Sequence, residues 1–203
     1  MTRPLPTAPY LLALCPVLAV SDNVVNALGI GVAAAIALLV SSSIVTLIAR
    51  RLSAELRVVT CVLILAGVVG CLMLLFDAGV HELRRSLGVY LPLLIANYVL
   101  LYQIDKAASR PPLQAVTNAL KIGGTMMLAL FALGVAREIV GRGSVFHDAG
   151  VLLGDAARGL EVQLFRADMG FLLATFPPGA FIAVGLLIAA RNWWLARRDA
   201  THE

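Results

Sequence analysis

The chain has 203 residues, of which 60% are hydrophobic and only 14% are charged, and its formal net charge is +4. Soluble domains carry roughly a quarter of charged residues, so this composition excludes an ordinary soluble protein and indicates one transmembrane domain over residues 1–203. The basic residues lie at the ends of uncharged runs and not on one face, so nucleic acid is not an expected partner.

Apolar segments follow one another along the chain, and a straight spanning helix needs about 20 such residues. The sequence therefore predicts an all-α membrane protein with six transmembrane helices, at about residues 8–21, 26–49, 58–77, 88–104, 115–139 and 169–195. A polar loop over about 141–168 is predicted to lie on the membrane surface.

The first and fourth segments are short and contain proline. The first holds Cys15 and Pro16, and the fourth holds Pro92, Asn97 and Tyr98. Proline removes a backbone donor, and irregular backbone inside a membrane is tolerated only where protein surrounds it. Both helices are therefore predicted to be interrupted. Spacing alone leaves open whether Cys15 is a ligand or an inert apolar thiol.

A sequence repeat relates the two halves. Asn26–Gly31 returns as Asn118–Gly123 with five of six residues identical, 92 positions later. Three spans per half is an odd number, so the second half (about 88–195) is predicted to be inverted relative to the first (about 8–80). Functional sites in such proteins usually lie near the midplane, where the halves meet on interrupted helices. Six spans put both termini on one side. That side would hold 10 of the 16 basic residues, Lys121 included, which favours cytoplasmic termini.

Several motifs together resemble the RnfE (RsxE) subunit family of the Rnf electron-transport complex, which is related to NqrD of the sodium-pumping NADH:quinone reductase. In order from about Leu11 to Asn192, the motifs are Leu14–Val20, Asn26–Gly31, Arg137–Gly141 and Pro177–Ile182. The resemblance implies a multi-pass subunit in the bacterial inner membrane. Its partners would be a homologous RnfA-like subunit, other Rnf subunits of the B, C, D and G types, and membrane lipid.

The same resemblance implies a cofactor. In the family, each of two homologous partners supplies two cysteines, one from each broken helix, and the four thiolates hold a mid-membrane [2Fe–2S] cluster that relays electrons across the membrane. Cys15 matches the first of these positions and is the expected metal ligand. Tyr98, which follows Asn97, occupies the position of the second cysteine. No independent catalytic activity is expected of the subunit.

The phenol of Tyr98 is a hard oxygen donor and a poor substitute for a thiolate. Three outcomes are open: a cluster held by three cysteines and another ligand, recruitment of Cys61 or Cys71, or an absent cluster. The alternative hypotheses are therefore a structural subunit of the same complex and a small inverted-repeat ion carrier. A carrier would use the polar residues of the apolar segments, which are Asn26, Asn97, Asn118 and Ser41–Ser43. Glu138 is a weaker candidate for a polar gate, against ordinary interface pairing beside Arg137.

Overall fold

The computed structural model describes residues 23–48 and 53–142, with shorter stretches at 144–146, 150, 162–163, 176, 178–179, 181–183, 185–186, 189, 192–193 and 197. Their regular elements are helices and one two-residue antiparallel pair, β1 (Ser144–Val145) with β2 (Val162–Gln163). The elements between residues 24 and 142 are α1 (Val24–Ile48), α2 (Ala54–Gly79), α3 (His81–Leu87), α4 (Tyr90–Leu93), a 3-10 turn (Leu94–Ala96), α5 (Tyr98–Ala107) and α6 (Pro112–Arg142).

Among the described residues, three helices are long and apolar enough to cross a membrane: α1, α2 from Leu56 onward, and α6. They coincide with the second, third and fifth predicted segments, so an all-helical membrane architecture is confirmed for this part of the chain. The first segment and most of the sixth lie outside the described residues, as does most of the 141–168 loop. The count of six spans and its inverted-repeat topology therefore stay predictions.

The fourth segment is interrupted, as its sequence predicts. Helix α4 passes into the 3-10 turn, and the backbone of Asn97 is then extended, with φ −74° and ψ 111°. The Asn97 side-chain carbonyl accepts hydrogen bonds from the amides of Val99, at 3.0 Å, and Leu100, at 3.3 Å. An asparagine that satisfies the first free amides of a helix is a favoured N-cap, so the helix restarts as α5 at this residue.

Helices α1 and α6 pack antiparallel and form the centre of the described structure. Successive residues of α1 contact residues of decreasing number in α6. A methyl group on Gly123 would come within 3.0 Å of Ala35 Cα, and one on Gly31 within 3.1 Å of the Met127 side chain. The closest approach is at Gly134, where a methyl group would lie 2.7 Å from Ala27 Cβ. Small residues at these positions let the two backbones pack closely.

Contacts at one end of the bundle fix the relative heights of the helices. The Thr46 hydroxyl of α1 donates to the Ala107 carbonyl of α5 at 3.2 Å. Asn97 lies ten residues before Ala107, and Ile36, the middle residue of α1, lies ten before Thr46, so each is about 15 Å from that end. The break at Asn97 is therefore level with the middle of α1.

The same comparison gives the height of Lys121, which the sequence places inside the predicted span 115–139 and counts with the basic residues of the cytoplasmic side. Gly123 packs against Ala35, so Lys121, two residues earlier on the antiparallel helix, is level with Ala37 of α1. That is also near the middle of the 25-residue helix α1. Charge counting assigns a lone lysine to the nearer end of its span and gives no height within it. Only the helix packing reveals its depth.

Candidate functional site at the broken helix

Tyr98 is the first residue of α5 after the break and lies on the outer surface of the described structure, 55% exposed. Its ring stacks on that of Tyr102, with 5.9 Å between centroids and 21° between planes. The ammonium of Lys106 lies 4.8 Å from the Tyr102 ring centroid, a cation–π distance. Tyr98, the site residue predicted from the sequence, therefore begins a ridge of three side chains one helical turn apart, which are Tyr98, Tyr102 and Lys106.

Asn97, beside it, is buried to 1% exposure. Its Oδ1 caps α5, while its Nδ2 has no hydrogen-bond partner within the described part of the chain. A buried donor without an acceptor costs about 1–3 kcal/mol, and native proteins rarely leave one so. The amide can therefore donate to a group that the described residues do not include, at the level of the helix break.

The three cysteines are distributed differently. Cys15 lies outside the described residues, so its meeting with Tyr98 stays a prediction. Cys61 is buried within the packing of α2. Cys71 is exposed and lines an apolar groove of about 450 Å³ between α1 and α2, together with Ile36 and Val40. The contacts of the described residues bring neither Cys61 nor Cys71 to Tyr98.

Metal-ligand chemistry is correspondingly sparse in this part of the protein. Within the described residues, no group of three His, Cys, Asp or Glu side chains could hold a metal ion. The break offers a buried amide donor and an exposed phenol. A thiolate site here would therefore need sulfur ligands from outside these residues.

The Arg137–Glu138 pair forms a second polar feature, at the far end of α6. Glu138 is fully buried, and its Oε2 accepts a hydrogen bond from the Val24 amide at 2.7 Å, at the start of α1. Arg137 is 1% exposed and its Nη2 donates to the Phe176 carbonyl at 3.1 Å. Just before Val24, the Oδ1 of Asn23 accepts a hydrogen bond from the Asn26 amide at 2.7 Å. The sequence marked Arg137 and Glu138 as candidates for interface pairing. It gave no signal that Glu138 caps a helix that begins 114 residues earlier.

Comparisons with known proteins agree on one family. Residues 3–188 match the family model described as "Rnf-Nqr subunit, membrane protein". The E-type subunit of the ion-translocating oxidoreductase complex of Aliivibrio fischeri is 44% identical over 188 residues, covering 92% of this chain and 83% of that protein. The proteins of the same name from Pasteurella multocida and Thioalkalivibrio sulfidiphilus are 42% and 44% identical, and the matches cover 92% and 90% of this chain, and 84% and 80% of those proteins.

Proposed function

This chain belongs to the Rnf-Nqr family of membrane subunits, and from that membership we propose that it is the E-type membrane subunit of an ion-translocating oxidoreductase complex of the Rnf type. Its relatives carry that name over most of the chain length. The complex would lie in the bacterial inner membrane. This subunit would pair there with a homologous RnfA-like subunit.

The observation that carries the proposal is the helix break at mid-height. A spanning segment that stops at Asn97 leaves polar backbone at the level of the middle of α1, where lipid offers no hydrogen bonds. Such breaks occur where protein encloses a site. The exposed Tyr98 lies there, as does the Asn97 amide, for which the described residues offer no acceptor. We propose that they form this subunit's half of a site shared with the homologous partner.

The paired contacts between α1 and α6 support an inverted repeat. Gly31 approaches Met127 and Ala35 approaches Gly123. Adding 92 to Gly31 gives Gly123, and adding 92 to Ala35 gives Met127, so the two contacts exchange under the repeat offset. Any antiparallel pair of helices gives this exchange, so the support lies in the opposite directions of the two helices that carry the repeated segments, as the two-fold relation of an inverted repeat requires. Its axis would pass between Ala33 and Thr125, near mid-height.

The proposed cofactor is a [2Fe–2S] cluster, which supplies one-electron transfer when bound. The residues present fit it only in part. Asn97 offers a buried N–H that could donate to a sulfur, a contact that tunes cluster potential. Cys15 would supply a thiolate. Tyr98 does not fit a thiolate position, because its oxygen is hard and its ring stacks on Tyr102. The remaining thiolates would therefore come from the partner.

A second candidate function is a structural subunit of the same complex, and the stacking of Tyr98 favours it, since a stacked ring needs no metal to hold it. The ion-carrier alternative has weaker support. The carbonyl oxygens of Asn26 and Asn97 are engaged by Ser86 and by the start of α5. The Ser43 hydroxyl donates to the Leu39 carbonyl of its own helix, at 2.7 Å.

The test uses the intact complex, purified with its membrane subunits, for iron analysis and EPR spectroscopy. We expect a [2Fe–2S] signal that Cys15→Ser abolishes. Cys71→Ser serves as the matched control, because that thiol lies in the apolar groove and its loss should leave the signal unchanged. Tyr98→Phe should also leave the signal, whereas Tyr98→Cys should change its g-values by adding a thiolate.

Each contrary result has a distinct meaning. A complex without iron would overturn the electron-relay function and leave the structural one. A signal that survives Cys15→Ser would exclude Cys15 as a required ligand. Loss of the signal in Tyr98→Phe would show that the phenol itself binds the cluster.

A further inference from the structure

Helix α6 carries a line of polar residues on its outer surface. Its members are one to four residues apart, and at about 100° per residue they fall within one face about 100° wide. Asn118 is half-buried and the others are exposed. The polar stripe consists of Gln114, Thr117, Asn118, Lys121 and Thr125. It extends over twelve residues, from Gln114 to Thr125, which is about 17 Å along the helix.

The polar stripe reaches the level at which lipid tolerates it least. Lys121 is level with Ala37, near the middle of α1, and an ionisable side chain at that depth needs a polar partner. The hydroxyls of Thr117 and Thr125 donate to carbonyls of their own helix, at 3.2 and 2.8 Å. The Gln114 and Asn118 amides and the Lys121 ammonium make no side-chain hydrogen bond or ion pair within the residues that the structure describes.

We propose that the polar stripe is the docking surface for a transmembrane helix of another subunit, which places a carboxylate opposite Lys121. The charge selects this occupant. A second copy of this chain would bring a like charge to the same face, and a cation path would be opposed by the ammonium. Gly124, beside the polar stripe, has nothing within 4 Å of where a methyl group would lie. Small residues interleaved with polar ones are typical of close helix contacts in membranes.

The first half of the chain contains a covered version of the same face. Under the repeat offset of 92, Asn118 and Lys121 correspond to Asn26 and Gly29 of α1. Helix α3 lies over those positions: the Ser86 hydroxyl donates to Asn26 Oδ1 at 2.9 Å, and a methyl group on Gly29 would lie 3.2 Å from the Leu83 side chain. In the second half, the covering element comes from another chain. This inference rests on the proposed assembly with other membrane subunits and not on the cluster.

The experiment places the photoreactive residue p-benzoylphenylalanine at position 118 of the chain in the purified complex. The control places it at Leu63, an exposed apolar residue of α2. We expect an adduct between position 118 and a membrane-spanning segment of a different subunit, mapped by mass spectrometry, with a carboxylate near the attachment point. Position 63 should not give this adduct. Lys121→Glu should lower retention of that subunit roughly tenfold in detergent, whereas Lys121→Arg retains it.

Reversing the mapped carboxylate to lysine should restore the subunit to the Lys121→Glu complex. An adduct only with lipid, or only with a second copy of this chain, would overturn the docking surface. So would full retention of every subunit after Lys121→Glu. If no other subunit co-purifies with the unmodified chain, the proposed function fails together with this inference. If subunits co-purify but position 118 gives no adduct with them, only the inference fails.

Discussion

The outer faces of α1 and α6 occupy equivalent positions in the sequence repeat but differ in what covers them. On α1, the face with Asn26 and Gly29 is covered by α3 of the same chain. On α6, the face with Asn118 and Lys121 is covered by no residue that the structure describes. The contact between the two helices, by contrast, is alike from either side. The two repeated segments therefore both pack in the contact between α1 and α6, while the cover of their outer faces by described residues differs.

The largest loss of stability is expected when the joint between the halves is removed. Glu138→Ala deletes the buried carboxylate that accepts from the Val24 amide. A charge-assisted hydrogen bond is lost and a buried amide is left without its acceptor, which should lower the free energy of unfolding by about 2–3 kcal/mol. Denaturant titration of the purified subunit in detergent measures this. Glu82→Ala, at an exposed carboxylate of α3, is the control and should change stability by less than about 0.5 kcal/mol.

A neighbouring pair of glycines tests the inner packing. Gly123→Ala drives a methyl group to 3.0 Å from Ala35 Cα, whereas Gly124→Ala meets nothing within 4 Å. We expect the first to lower the free energy of unfolding by about 1–3 kcal/mol through overpacking. The second should leave it unchanged or raise it by up to about 1 kcal/mol through helix propensity. Gly31→Ala should behave like Gly123→Ala. Equal stabilities for all three variants would refute the symmetric contact.

Paired asparagine substitutions test the outer faces directly. Asn26→Ala removes the acceptor for the Ser86 hydroxyl and should lower the free energy of unfolding of the isolated chain by about 1 kcal/mol. Asn118→Ala touches no such contact and should change it by less than about 0.5 kcal/mol. Thermal unfolding in detergent compares the two. A larger effect for Asn118→Ala would mean that its face is already covered within the chain.

The smallest effect is expected at an ion pair that joins the two halves. Arg57 Nε lies 2.7 Å from Asp105 Oδ1, but the two side chains are 31% and 34% exposed. Solvent screening at such a site limits the contribution of the pair to the free energy of unfolding to about 0.5 kcal/mol. Asp105→Asn should remove that contribution. The difference from the unmodified chain should disappear at high salt. A difference in the free energy of unfolding that persists at high salt would mean that the pair is shielded from solvent within the chain.

The sequence predicted the features that depend on local patterns. Uncharged runs placed α1, α2 and α6, and Pro92 with Asn97 placed the break in the fourth segment. Helix α3 was not predicted, because seven residues hold too few repeats of a 3.6-residue period to stand out.

The sequence could not predict long-range contacts, because local patterns do not specify how helices pack. Nothing in the local sequence connects Glu138 to Val24, or gives the depth of Lys121, since both depend on how α6 packs against α1. At the candidate site, the sequence predicted the position of Tyr98 in the break. It could not predict that the ring stacks on Tyr102 or that the Asn97 amide finds no acceptor among the residues that the structure describes.

The cap that Glu138 provides also sets an order of events during synthesis. Val24 is translated 114 residues before Glu138, whose carboxylate accepts the hydrogen bond from the Val24 amide. At about 5–20 residues per second, the ribosome needs roughly 6–23 s to bridge that interval. Helix α1 therefore enters the membrane before the acceptor for its first amide exists, and the hydrogen bond forms only when α6 packs against it. The N-terminal half gains this hydrogen bond only after α6 is made, so a chain truncated before residue 138 should be less stable and more readily degraded by membrane quality control.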